Sequence, residues 1–212
     1  MRKSLLSGLA ALAIIAGTGT AHAITVVDAT GDFLPGFIGT QDADLDVTSF
    51  SVTYDTNTST FTLGATFAGA INPANVGRYV IGVSTGPGGN APFASLGQGN
   101  VRFQQTVTVQ KNGTGTVGAI ALASVSVSGN AFTALVPISL LPSTGYTFGS
   151  YGFNLWPRNG GAGLTAISDF SPENSLLAVG NIPEPSTWLA MVVGFGAVGG
   201  ALRSRRRVTA LA

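Results

Sequence analysis

The chain has 212 residues with ten basic and nine acidic side chains, a net charge of +1, no cysteine and a single histidine, His22. The lack of cysteine excludes a disulfide scaffold, thiolate chemistry and cysteine-containing zinc sites, and any Ser-His-Asp system would have to use His22. The length suits one folded domain rather than two.

In chain order, Arg2 and Lys3 precede a largely apolar run from Leu5 to Ala16, and Ala21-His22-Ala23 places small residues where a signal peptidase reads them, just before Ile24. Residues 1–23 are therefore expected to be a secretory signal peptide with a helical apolar part, cut between Ala23 and Ile24. The alternative is an uncleaved anchor, but the run is shorter than the ~20 residues of a comfortable span. Cleavage would also remove His22, and with it any histidine general base.

Residues 24–181 carry four basic side chains, Arg78, Arg102, Lys111 and Arg158, against eight acidic ones, a net charge of about −4. Four scattered cations do not make a phosphate-binding face, so nucleic acid is not an expected partner. A short β-type start at Ile24 gives way to a loop broken by Gly31, Pro35 and Gly36. From Val47 the chain alternates: Phe50, Val52 and Tyr54 on one side, Ser49, Ser51 and Thr53 on the other. After a polar turn from Asp55 to Thr60, Phe61, Leu63, Ala65 and Phe67 resume the period of two, which predicts a hairpin with one wet face. Tyr79 to Val83 is a continuous apolar run, suited to a strand buried on both faces.

Thr85 to Asn100 is rich in glycine and proline and is expected to be a loop. Val101, Phe103, Val107 and Val109 alternate with polar residues, and Lys111-Asn112-Gly113 turns the chain back toward Ala123. Val125 and Val127, the turn Ser128-Gly129-Asn130, and Phe132 to Ile138 repeat the pattern; Tyr151, Phe153 and Leu155 follow, with a last strand expected over Leu164 to Ile167. Strands with tight turns and no crossover helices predict an all-β, antiparallel two-sheet β-sandwich of jelly-roll type over residues 24–181. Asp28 with Asp32-Phe33, the hairpin Tyr54 to Phe67 and the closing Asp169-Phe170-Ser171-Pro172 give the domain a weak resemblance to carbohydrate-binding-module and DOMON-like sandwiches, a likeness that implies a fold but assigns no ligand residue.

Three chemistries are open to such a domain. Asp42, Asp44 and Asp46 alternate, so on an extended strand their carboxylates share a side, and Asp28, Asp32 and one or more of these three would suit one calcium ion. The same spacing also describes acidic residues that solvate a loop, and an EF-hand is excluded because its glycine and glutamate positions hold Val47 and Thr53. Trp156 and Tyr151, with Arg158, would suit a glycan platform; the competing expectation is a core tryptophan with Arg158 at the rim. Seven aspartates and Glu173 provide raw material for a carboxylate-based glycoside hydrolase, with Asp169 near Trp156 the first place to look, although no pair is set by the spacing.

The chain ends in Pro183-Glu184-Pro185, Trp188, an uncharged segment over residues 188–202, and Arg203, Arg205, Arg206 and Arg207. As a helix those 15 residues would span about 22 Å, a marginal crossing of a ~30 Å hydrocarbon core, and the arginines would stay cytoplasmic. Residues 182–212 are identified as resembling the PEP-CTERM sorting signal of Gram-negative bacteria, with Leu189 where the most familiar variant has alanine and a short tail from Val208 to Ala212. The resemblance implies a signal peptidase and an exosortase-type processing enzyme as partners, transient anchoring in the inner membrane, and delivery to the cell surface, outer envelope or an exopolysaccharide matrix. The expected role is structural or adhesive and non-enzymatic, with no cofactor required; a calcium-dependent carbohydrate-binding module and a glycoside hydrolase are the alternatives.

Overall fold

The computed structural model describes residues 22–179 and Phe195. Residues 1–21 of the expected signal peptide (1–23), Pro183-Glu184-Pro185, Trp188, the 188–202 segment apart from Phe195, and the four arginines lie outside the described residues. Among the described residues no helix is long and apolar enough to cross a membrane.

Residues 22–179 form β1 (His22–Val27), β2 (Val47–Asp55), β3 (Thr60–Phe67), β4 (Arg78–Ser84), β5 (Gln105–Gln110), β6 (Gly115–Val117), β7 (Ile120–Ala121), β8 (Ser124–Ser128), β9 (Ala131–Pro137), β10 (Gly152–Arg158) and β11 (Leu177–Ala178). They assemble into two antiparallel sheets, one ordered β1-β2-β3-β9-β8 and the other β11-β10-β4-β5-β6-β7. Helical structure between 22 and 179 is confined to three-residue 3-10 turns. The fold is thus the expected all-β, two-sheet sandwich.

Alternation explains the first sheet. Phe50 and Val52 of β2, Phe61, Leu63, Ala65 and Phe67 of β3, and Phe132, Ala134 and Val136 of β9 point inward and are buried. The intervening Ser49, Ser51, Thr53, Thr62, Thr66, Thr133 and the serines of β8 form an outer wall of small hydroxylated side chains that is partly or fully exposed. Aromatic rings close the gap to the second sheet: Phe61 meets Phe153 edge-on at 5.1 Å, and Tyr79 stacks on Phe67 at 4.4 Å and on Phe132 at 5.3 Å. Such pairs add about 0.5–1.5 kcal/mol each beyond the area they bury.

The second sheet is covered on both sides. Tyr79, Ile81 and Val83 of β4 and Phe153 and Leu155 of β10 face the main core. Val80 and Trp156 face the other way, into a smaller cluster with Phe93, Val101, Ile167 and Phe170. Gly82 makes room there, since a Cβ on it would lie 2.7 Å from the Trp156 ring. The cover is built by the loops, which accounts for the unbroken apolar run in β4.

Two local expectations change. Leu164–Ala166 forms a 3-10 turn closed by the Ile167 N–H donating to the Leu164 carbonyl, not a strand, and the sheet ends instead on the two-residue β11. Val101 to Gln104 precedes β5 instead of belonging to it: Phe103 bridges to Asn90 in a loop, and the Gln104 N–H donates to the Val83 carbonyl of β4 at 3.1 Å. The first strand also reaches back past the expected cleavage point: His22 and Ala23 pair with Tyr54 and Thr53, so cutting before Ile24 would leave the four pairs from Ile24↔Val52 to Val27↔Ser49.

Candidate functional site

Three stretches far apart in sequence meet at the mouth of β2. Asp28 follows β1 and its N–H donates to the Thr48 carbonyl at 2.9 Å, which extends the pairing and carries the next loop over the start of β2. That loop is tied to the 168–171 segment by the Leu34 N–H donating to the Ser168 carbonyl at 2.8 Å. The 168–171 segment is fixed in turn against β10, through exchanged backbone bonds between Leu155 and Ser171, and against the start of β2, through the Ser168 hydroxyl donating to the Leu45 carbonyl at 2.7 Å.

The carboxylates of Asp32, Asp46 and Asp169 converge there, each offering an oxygen within 4.8 Å of the others. Asp46 and Asp169 are 3% and 1% exposed, while Asp32 is half-buried. Backbone donors aim the buried pair: Gly31 N–H donates to Asp46 Oδ2 at 2.8 Å, and Val47 and Phe170 N–H groups donate to the two oxygens of Asp169 at 2.9 and 2.6 Å. Among the described residues Asp46 Oδ1 and Asp32 Oδ1 are buried without a hydrogen-bond partner, while Asp28 has only the hydroxyl of the fully buried Ser171 beside it apart from the Ala29 N–H.

The electrostatics are those of crowded anions. Burial pushes the Asp169 carboxyl up to about 8; the Val47 N–H pulls it back, and the charges of Asp28 and Asp32 raise it again. Burial likewise raises Asp46, offset in part by the Gly31 N–H and reinforced by Asp32. Asp28 is raised by burial, with the nearby Ser171 hydroxyl opposing and Asp32 and Glu173 adding. Among the described residues no cation acts on these three carboxyls.

A linkage prediction follows for metal-free protein. Because Asp169 holds its proton more tightly folded, at about 8, than at its ordinary 3.8, its contribution to stability is complete below that lower value and is lost as pH rises through the higher one. The urea midpoint in excess chelator is expected to fall steadily between about pH 5 and pH 8. A midpoint that is flat or rises across that window contradicts it.

The remaining expected ligands stand elsewhere. Residues 43–45 coil into a 3-10 turn, in which alternate residues no longer share a side as they would on an extended strand. Asp42 therefore accepts the Thr40 hydroxyl at 2.9 Å, and Asp44 turns into the interior, where its Oδ2 lies 2.8 Å from Lys111 Nζ. Only Asp28, Asp32 and Asp46 of the five stand at the mouth of β2, and Asp169 joins them.

No family model, curated protein or solved structure matches the chain. The geometry therefore has to speak for itself.

It separates the three residues of the supposed glycan platform. Tyr151 and Trp156 are five positions apart around β10, an odd spacing that sends them to opposite faces of the sheet. Tyr151 is fully buried in the main core and donates its hydroxyl to the Leu141 carbonyl at 3.0 Å. Trp156 is 2% exposed, covered by Phe93 at 4.8 Å and Phe103 at 5.0 Å. The Arg158 guanidinium is turned back to the Gly163 carbonyl at 2.7 Å. Of the two expectations for Trp156, the core tryptophan matches this placement.

Proposed function

We propose that the chain is an exported, non-enzymatic β-sandwich, delivered by its C-terminal signal to an exosortase-type processing enzyme and employed in a structural or adhesive role at the cell envelope or in an exopolysaccharide matrix. The observation that carries this reading is the order of unlike features in the tail: Pro183-Glu184-Pro185, Trp188, a glycine-rich uncharged segment, then Arg203, Arg205, Arg206 and Arg207. The leader-like N-terminus, with its Ala21-His22-Ala23 site, agrees in direction. Support from the body is of another kind. Most of its bulky aromatic residues are spent on the interior, Tyr146 being an exception, and Asp46 and Asp169, the carboxylates closest to a catalytic pair, are too deeply buried to meet a sugar chain.

Mass spectrometry of the protein recovered from its own cells tests this. The expected product starts at Ile24, ends near Pro183 to Pro185 and lacks the arginine cluster. Full-length chain, arginines attached, recovered from the surface of cells with an active processing enzyme contradicts it.

A further inference from the structure

We infer that Asp32, Asp46 and Asp169, with Asp28 beside them, form a calcium site that fastens the β1–β2 loop and the 168–171 segment to the mouth of β2. This goes beyond the sorting role and stands whether or not the tail is processed. The first ground is spacing. Two oxygens bound to one calcium at about 2.3–2.6 Å can be no more than about 4.6–5.2 Å apart, and the three carboxylate oxygens lie within 4.8 Å of one another.

The second ground is the unmatched oxygen. Asp46 is 3% exposed, yet its Oδ1 meets no donor among the described residues, and neither does Asp32 Oδ1. Buried polar atoms in a folded protein ordinarily find partners, and clustered carboxylates that face no cation among the described residues are what a bound cation would resolve. Among the described residues the buried Lys111 is already committed to Asp44.

Donor chemistry selects the ion. Every candidate ligand is an oxygen, which suits a hard cation and not zinc or copper. Calcium is favoured over magnesium because the carboxylates are fixed by backbone N–H groups at Gly31, Val47 and Phe170 and cannot contract freely into a small octahedron. The N–H bonds occupy one lone pair on each oxygen they reach, so Asp169 is held in place and still able to coordinate. Because the ligands come from both ends of the domain, 123 positions separating Asp46 from Asp169 by their sequence numbers, the ion would act as a staple rather than as a loop ornament.

The test uses the full chain, stripped with chelator and titrated with calcium chloride by calorimetry and by thermal unfolding. One calcium per chain is expected, with a dissociation constant of roughly 10⁻⁴–10⁻³ M, as in extracellular modules. At about a hundredfold excess over that constant the melting temperature should rise by about 5–10 °C. Asp32→Asn, at a half-exposed position, should weaken calcium at least tenfold without lowering the metal-free melting temperature, since it removes one of the crowded charges; Asp46→Asn should weaken calcium at least as much. Asp42→Asn, outside the site, should leave the calcium response unchanged. No heat and no thermal shift up to about 10 mM calcium overturns the proposal, as does magnesium binding in calcium's place or an unaltered calcium response in Asp32→Asn.

Discussion

Replacing Lys111 by methionine is expected to destabilise the domain by about 3–5 kcal/mol, the cost of stranding a buried carboxylate. Lys111 Nζ lies 2.8 Å from Asp44 Oδ2, and the two side chains are 2% and 3% exposed. The pair joins the turn after β5, in the second sheet, to the 3-10 turn that leads into β2 of the first. Asp44 already receives the Asn72 N–H at 3.1 Å on the same oxygen, while its Oδ1 has no donor, so the ammonium is the main counterweight to its charge. Methionine matches the length of the lysine stem but brings no cation. In Lys111→Met/Asp44→Asn the charge is gone and an acceptor for Asn72 can be kept, so most of the loss should be recovered. Urea unfolding reads both, with the midpoint moving and the slope preserved. A single variant within about 1 kcal/mol of the parent would show that water reaches Asp44.

Trp156→Ala carries the second large effect, again about 3–5 kcal/mol, because it empties the centre of the smaller cluster rather than a surface platform. The indole is covered by Phe93 and Phe103 and backs onto Gly82, whose missing side chain is the space the ring fills. Deleting it leaves a cavity that the sheet cannot close, since β4 and β10 are paired along their length from Arg78↔Arg158 to Ser84↔Gly152. Chemical denaturation measures the loss. Emission from a Trp188→Phe variant, in which Trp156 is the one tryptophan left, gives a second reading: a buried indole should be blue-shifted and indifferent to added polysaccharide. A Trp156→Ala variant as stable as the parent, or emission that responds to a polysaccharide, would return Trp156 to the surface.

Much of the sandwich was legible because strand alternation is a local property. Phe50, Val52 and Tyr54 against Ser49, Ser51 and Thr53 name the inner and outer faces of β2 without help from the rest of the chain. The unbroken run Tyr79 to Val83 announced a sheet covered on both sides, though not by which loops. What escaped depended on contacts. Leu164 to Ile167 has strand composition, but three residues after Gly163 close on themselves, and the two-residue β11 is too short to leave a pattern.

The candidate site divides in the same way. Asp28 and Asp32 were visible as acids in a glycine-containing loop, and Asp46 as the last of an alternating triplet. The triplet was misleading because the turn over 43–45 sends Asp44 inward to Lys111 and leaves Asp42 with Thr40. Asp169 was not counted among the metal ligands, since nothing local says that its carboxylate will accept the Val47 N–H. The opposition of Tyr151 and Trp156, by contrast, was readable from their odd spacing alone.

The outer wall of the first sheet has a consequence of its own. From Ser49 to Thr53, across Thr62 and Thr66 to Thr133 and the β8 serines, it holds no ionisable group until Asp55 at the hairpin end. Whatever rests against that wall meets neither attraction nor repulsion that dissolved ions can screen, so its grip should be as firm in brine as in fresh water.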